Sequence, residues 1–241
     1  MLRTFYLLPV TYNKIMSNLK DFLMGTQILK EIESPINGKI QVVRSLGLGT
    51  YIQVGGLTQS GGILEGVWRK PLKKVYQSLI TNHQSLILGL GGGTAVKLVR
   101  KYWPEAEITG VDIDPVMVKM GKKYLGLDNK GVKVHIGDAY DFLNQKLKAK
   151  NQNDISKIKK YDLVLVDLYV GDEFPKKFKS EPFLIRTRNN LAHNGTVVFN
   201  RLYYGDKRSQ AVKFCEKLER IFSKVEVVYP EANVMYICNL F

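Results

Sequence analysis

Five apolar segments from residue 85 onward, SLILGL, EITGVDI, VKVHIG, YDLVLVDL and GTVVFN, alternate with the amphipathic stretches TAVKLVRKYW, PVMVKMGKKYL, DAYDFLNQKLKAK and EPFLIRTRNNLA. Strands that read as nearly continuous apolar runs are covered on both faces, and strands joined through helices run parallel. The alternation therefore predicts a mostly parallel sheet between two helical layers. The rhythm then changes. A helix, SQAVKFCEKLERIF, leads to KVEVVYP and NVMYICNL, which only a few residues separate. So short a connection permits only an antiparallel hairpin. The expected class is α/β, a Rossmann-like, mostly parallel seven-stranded sheet ending in that hairpin.

The segment before residue 65 reads differently. ILKEIES alternates, Pro35 and Asn37-Gly38 make a turn, and KIQVVRS, LGLG and TYIQV follow before Gly55-Gly56. Alternation bounded by Gly, Pro and Asn predicts a small antiparallel β unit. EGVWRKPLKKVYQSLI then reads as a helix or a turn plus helix, with Pro71 near its first turn. The organisation expected is an N-terminal extension over 1–26, a small β domain over 27–64 and the larger domain over 65–241. The opening MLRTFYLLPVTYNK has an apolar patch, but Pro9 breaks it and no small-residue cleavage site follows, so it is not read as a signal peptide.

Composition narrows the class. Of 241 residues, 45% are hydrophobic, as in an ordinary globular chain. Cys215 and Cys238 are the two cysteines and form no CxxC, which predicts a reducing, cytoplasmic setting and no zinc-type site. No apolar run approaches the roughly 20 residues of a membrane span. The formal charge of +14 leaves a nucleic-acid partner open, but the lysines are spread along the chain. The densest run, Lys146 to Lys160, lacks interleaved aromatics that stack bases and reads as a solvated helix end and loop.

The chemistry concentrates at strand ends. In Gly89-Leu90-Gly91-Gly92-Gly93-Thr94, glycines let the backbone approach a ligand and the next helix offers free N–H groups. A dinucleotide fingerprint needs glycine at position 94; Thr94 stands there, and the spacing G-x-G-x-G is the adenosylmethionine variant. Asp112 ends the next strand nineteen residues after Gly93, with Ile113 beside it. A carboxylate at that place accepts from both ribose hydroxyls, while Asp114 caps the helix opening at Pro115. Asp138 and Ala139 end the third strand, where a carboxylate and an amide meet an adenine ring; the simpler role of Asp138 is a helix cap. Asp167 ends the fourth strand, followed by Tyr169 and Asp172 on a loop that covers the site. Asp167 would orient an acceptor amine or take its proton, or else hold loop backbone. His83, His135 and His193 have no partners at metal spacing, so no metal is expected. No nucleophile elbow is present. Trp68 and Trp103 read as packing residues. Tyr203 and Tyr204 read as packing before pocket lining.

These pieces in this order resemble the spermidine synthase family, from about Ile28 to the end: VGGLTQ, LGLGGGTAVKLVR, VDIDP, IGDAYDFL, YDLVLVD and HNGTVVFN. The resemblance implies the class I adenosylmethionine-dependent methyltransferase fold and transfer of an aminopropyl group from decarboxylated adenosylmethionine to a diamine. It implies that Asp112, Asp138 and Ala139 hold the nucleoside, that Gln59 lines the site, that Asp167 is the first loop aspartate, and that the chain forms a homodimer. The chain also departs from the family. Gly92 stands where aminopropyltransferases carry an aspartate in the glycine loop, Val170 stands at the second loop aspartate, and ILEGVW replaces an acidic segment. A glycine with free N–H groups suits the carboxylate of ordinary adenosylmethionine better than an aspartate would. The leading expectation is thus a methyltransferase with an unidentified small acceptor. Aminopropyl transfer is the second reading, and a non-catalytic nucleoside-binding protein the third.

Overall fold

The structure, a computed structural model, describes residues 25–79, 82–148 and 160–240. Residues 1–24 of the expected extension and 149–159 of the lysine-rich run lie outside the described residues.

Strands β1 (Thr26–Ser34), β2 (Gly38–Ser45), β3 (Gly49–Val54) and β4 (Leu57–Gly61) form an antiparallel sheet in sequential order. The sequence reading named three of these strands. The fourth, LTQSG, escaped it because its middle is polar and it is five residues long. It forms because Gly55 and Gly56, both at positive φ, turn the chain back onto β3. The apolar face of this sheet, Ile40, Val42, Ile52 and Val54, does not close on itself. It packs on Met117 and Met120 of helix α3 (Pro115–Leu125), so the small unit borrows part of its core from the larger one.

The larger unit holds β5 (Gln84–Leu88), β6 (Glu107–Asp112), β7 (Val132–Ile136), β8 (Tyr161–Val166), β9 (Leu191–Leu202), β10 (Lys224–Val228) and β11 (Asn233–Asn239). The seven strands lie in the order β10-β11-β9-β8-β5-β6-β7. The pairs β5/β6, β5/β8, β6/β7 and β8/β9 are parallel, whereas β11 runs antiparallel to both β9 and β10. This is the mostly parallel sheet ending in a hairpin that the apolar rhythm predicts. The period of two in a strand sends neighbouring residues to opposite faces. Leu86 and Leu88 meet α4 (Ala139–Lys148), α5 (Glu181–Asn189) and α6 (Lys207–Ile221), while Ile87 meets α1 (Leu64–Val75) and α2 (Thr94–Tyr102).

Local signals place the helices. Asp114 accepts from the amides of Val116 and Met117, Pro115 opens α3, and Gly126 closes it in the left-handed region. One local expectation is corrected. Helix α1 begins at Leu64, so Pro71 lies in its interior rather than its first turn. Burial of Val67, Trp68, Leu72 and Val75 against the sheet carries the helix through the missing N–H.

Candidate functional site

The carboxyl ends of β5, β6, β7 and β8 open into one cavity of about 670 Å³, roofed by β4 and closed on one side by the β10–β11 turn. Crevices at this edge of an open α/β sheet are where ligands sit, and the volume lies in the usual range for small-molecule sites.

The glycine turn is shaped by what it touches. A Cβ on Gly89 would lie 2.0 Å from the carbonyl oxygen of Asp167, so only glycine lets the ends of β5 and β8 approach this closely. The amides of the turn are all used within the protein. Gly91 N–H donates to Asp112 Oδ2 (2.7 Å), Gly92 N–H to Ser60 Oγ (2.9 Å) and Gly93 N–H to the Leu90 carbonyl (3.0 Å). The free N–H expected of Gly92 is therefore taken by Ser60 of β4 and that of Gly91 by Asp112; the free donors expected of the following helix concern α2, whose N-cap Gly93 brings no side-chain bond, and Gly93 itself lies outside the cavity lining. Thr94, the residue that departs from the dinucleotide pattern, docks the roof. Its Oγ1 accepts from Gly61 N–H at 2.6 Å and lies 3.0 Å from Ser60 Oγ.

Gly92 also proves different from its sequence reading. A Cβ there would come within 2.8–2.9 Å of Leu125, Ile52 and Ser60, and Gly121 of α3 packs directly on its Cα. Unlike Gly89 and Gly91, it does not line the cavity. The glycine at this position serves the close approach of α3 and the N-terminal sheet.

Asp112 accepts from Gly91 N–H and, through Oδ1, from Asp114 N–H (2.8 Å). Burial raises its pKa above the ordinary value, against the pull of those two amides. A carboxylate has about four acceptor positions. Two are filled here, so two remain for hydroxyl donors in the cavity. Ile113 presents an exposed apolar side chain to the same space. Asp138 caps α4 through the amides of Tyr140 (2.9 Å) and Asp141 (3.3 Å), and its Oδ2 pairs with Lys177. The cap and the cavity-lining role thus coexist, with Ala139 next to it on the wall.

At the other end stands Asp167. Its Oδ2 accepts from Trp68 Nε1 at 3.0 Å and its Oδ1 from Asn200 Nδ2 at 2.8 Å. Burial raises its pKa, and those two donors oppose the rise. No ion pair to it occurs among the described residues. Sequence reading missed both partners. Trp68 reads as packing in the sequence, and nothing in an α1 tryptophan or a β9 asparagine announces a meeting with the aspartate just past β8, 99 or 33 positions away. Tyr169 lines the cavity, and its hydroxyl accepts from Leu202 N–H at 2.8 Å; burial pushes its pKa up to about 12, so it stays protonated. Gln59 lines the cavity as expected and ties roof to loop by donating to the Gly171 carbonyl at 3.1 Å.

Asp172 is not brought to the site. Its carboxylate turns to Lys207 at 3.1 Å, outside the cavity lining, because the loop doubles back through the Val170–Glu173 bridge. Tyr204 lines the cavity, whereas Tyr203 packs at a tilt against Tyr229. Glu231, with the left-handed φ of 47°, also lines it. Among the described residues, the carboxyl groups on the wall are Asp112, Asp138, Asp167 and Glu231, and the cation there is Lys177. Among the described residues no cluster of three or more His, Cys, Asp or Glu could hold a metal ion, and no helix is long and apolar enough to cross a membrane.

The sequence profile of the spermine/spermidine synthase domain matches residues 73–235. A polyamine aminopropyltransferase of Vibrio vulnificus is 31% identical over 116 residues, covering 48% of this chain and 36% of that protein. An eEF1A lysine and N-terminal methyltransferase of Mus musculus is 25% identical over 162 residues, covering 64% of this chain and 22% of that one. The chain thus spans well under half the length of these curated relatives. The crystal structure of spermidine synthase from Thermotoga maritima shares the fold, with a TM-score of 0.70 at 14% identity over 89% of this chain and 73% of that one.

Proposed function

The chain belongs to the spermine/spermidine synthase family, and from that premise we propose that it is a transferase moving an alkyl group from an adenosylmethionine-type sulfonium to an amine. The observation that carries this is Asp167, a carboxylate open to the cavity, held by two neutral donors and paired with no cation among the described residues. The donor set fits a nucleoside. Asp112 keeps two acceptor positions for ribose hydroxyls, and Ile113 with Ala139 offers an apolar wall for a flat ring.

The bound sulfonium would supply a carbon that the amine lone pair attacks, its C–S bond breaking with the pair left on sulfur. An amine is protonated at neutral pH and must lose a proton before it attacks. Asp167 takes that proton, and its raised pKa brings it closer to the working pH of a base. Trp68 and Asn200 hold both oxygens in place. Tyr169, kept protonated, is the wall beside the base rather than a second base. The roof strand, fastened through Ser60, Thr94 and Gln59, keeps water from the reacting end.

Methyl transfer from adenosylmethionine is the first reading. Val170 lacks a carboxylate, and the one acid of ILEGVW, Glu65, turns outward to Lys97 and Arg69, so little grips a second ammonium. Aminopropyl transfer from the decarboxylated form is the second, favoured by the acidic wall and the occupied glycine-turn amides, which leave little to receive a cofactor carboxylate. Calorimetric titration with each cofactor decides between them. Tighter binding of adenosylmethionine supports methyl transfer, tighter binding of the decarboxylated form supports aminopropyl transfer, and binding of neither overturns the proposal.

A further inference from the structure

The turn between β10 and β11 reaches the base through two buried amides. Asn233 opens β11 and closes the turn by donating its N–H to the Pro230 carbonyl at 2.9 Å. Its Nδ2 donates to Asn200 Oδ1 at 2.8 Å, and Asn200 Nδ2 donates to Asp167 Oδ1 at 2.8 Å. Asn200 is 2% and Asn233 6% exposed, so water does not compete for these bonds.

The direction of this chain follows from its end. An ionised carboxylate only accepts, so Asn200 must turn its NH2 to Asp167. Its carbonyl oxygen then faces away and needs a donor, because a buried acceptor left unpaired carries its full desolvation penalty. Asn233 is that donor. Rotating the Asn200 amide by half a turn would set its carbonyl oxygen against Asp167 Oδ1, oxygen to oxygen.

We propose that Asn233 is a positioning residue: it locks the Asn200 amide in the one orientation that stabilises ionised Asp167, and so makes the β10–β11 turn part of the reacting centre. This rests on the reading of Asp167 as the proton acceptor. Its role is indirect, since Asn200 lies between.

The test reads the carboxyl itself. Protein labelled with carbon-13 at aspartate carboxyls is titrated by NMR, with Asp167→Asn identifying the Asp167 signal. Asn233→Asp offers a carboxylate to Asn200 Nδ2 and draws the amide round; Asn233→Ser, a smaller change that keeps a turn-compatible residue, simply removes the Nδ2 donor. The expected result is an upward shift of the Asp167 midpoint by about one unit or more in Asn233→Asp and a smaller upward shift in Asn233→Ser. An unchanged midpoint in folded Asn233→Ser overturns the proposal, as does a downward shift in either variant. Calorimetry with adenosylmethionine and with its decarboxylated form on the same proteins separates the two readings. Unshifted midpoints with intact cofactor binding sink the role of Asn233 alone, whereas shifted midpoints in a protein that binds neither cofactor sink the transferase reading and leave the amide chain standing.

Discussion

Asp112 and Asp167 end strands on either side of β5, both face the cavity, and burial raises the pKa of both. They are held in opposite ways. Asp112 accepts from two backbone amides, Gly91 and Asp114, the second only two residues away. Asp167 accepts from two side chains, Trp68 on α1 and Asn200 on β9. A carboxylate held by backbone keeps its place as long as the turn folds, which suits a binding group. One held by side chains depends on how three elements pack, and its pKa can be tuned by changing a neighbour, which suits a base. In the proposed transferase, the end that would hold the nucleoside is thus built by local chain geometry and the end that would react by tertiary packing.

The largest effect should come from Asp167→Asn. Loss of a general base lowers turnover by roughly 10²–10⁴-fold, while cofactor affinity from calorimetry should hold within a few-fold. Equal losses in both would erase the contrast between the two ends. The pH profile carries the same contrast. Because burial raises the Asp167 pKa, turnover should fall as the pH drops through a value above the ordinary carboxylate range. The stability term has the opposite sign: a raised folded-state pKa means that these two carboxyls add stability as the pH falls, fully present below the unfolded pKa.

Asp112→Ala should weaken cofactor binding by about 10–100-fold, the loss of one or two hydrogen bonds to a charged group, with the surviving turnover at saturation much less affected. Next comes Gly92→Asp. If the position serves packing, the variant should lose about 1–3 kcal/mol of stability or more in denaturant melts from overpacking against Ile52, Leu125 and Ser60. A stable variant that gains preference for the decarboxylated cofactor would show instead that the side chain reaches the ligand. Trp68→Phe keeps most of the buried ring and removes one donor. It should cost about tenfold in turnover, the size of one charge-assisted hydrogen bond, and move the acid limb upward; Asp112 partners have no equivalent side-chain variant. The smallest effect belongs to Asp172→Ala. Its carboxylate is half exposed, and Lys207 keeps the Asp172 carbonyl and Glu173 as partners, so the pair is worth about 1 kcal/mol, kinetics should stay within two-fold, and a large loss would return Asp172 to the site.

Much was legible in the order of residues alone. Continuous apolar runs separated by amphipathic ones dictate a two-sided parallel sheet, and a short link dictates the final hairpin, since both follow from chain reach and alternating side chains. Strand-end aspartates and the Asp114 cap with Pro115 were readable for the same reason: each depends on neighbours within one turn or on where one strand ends; that Gly89 admits the backbone of Asp167 was not, because it joins two strands distant in sequence. Only the folded chain decided the rest. The polar strand β4, the steric reason for Gly92, the occupation of the turn amides by Ser60 and Asp112, the departure of Asp172 to Lys207, and the line from Asn233 through Asn200 to Asp167 all join residues from separate elements. Such contacts are set by how helices and sheets pack, and hydrogen bonds between distant side chains leave no period or spacing in the sequence by which to find them.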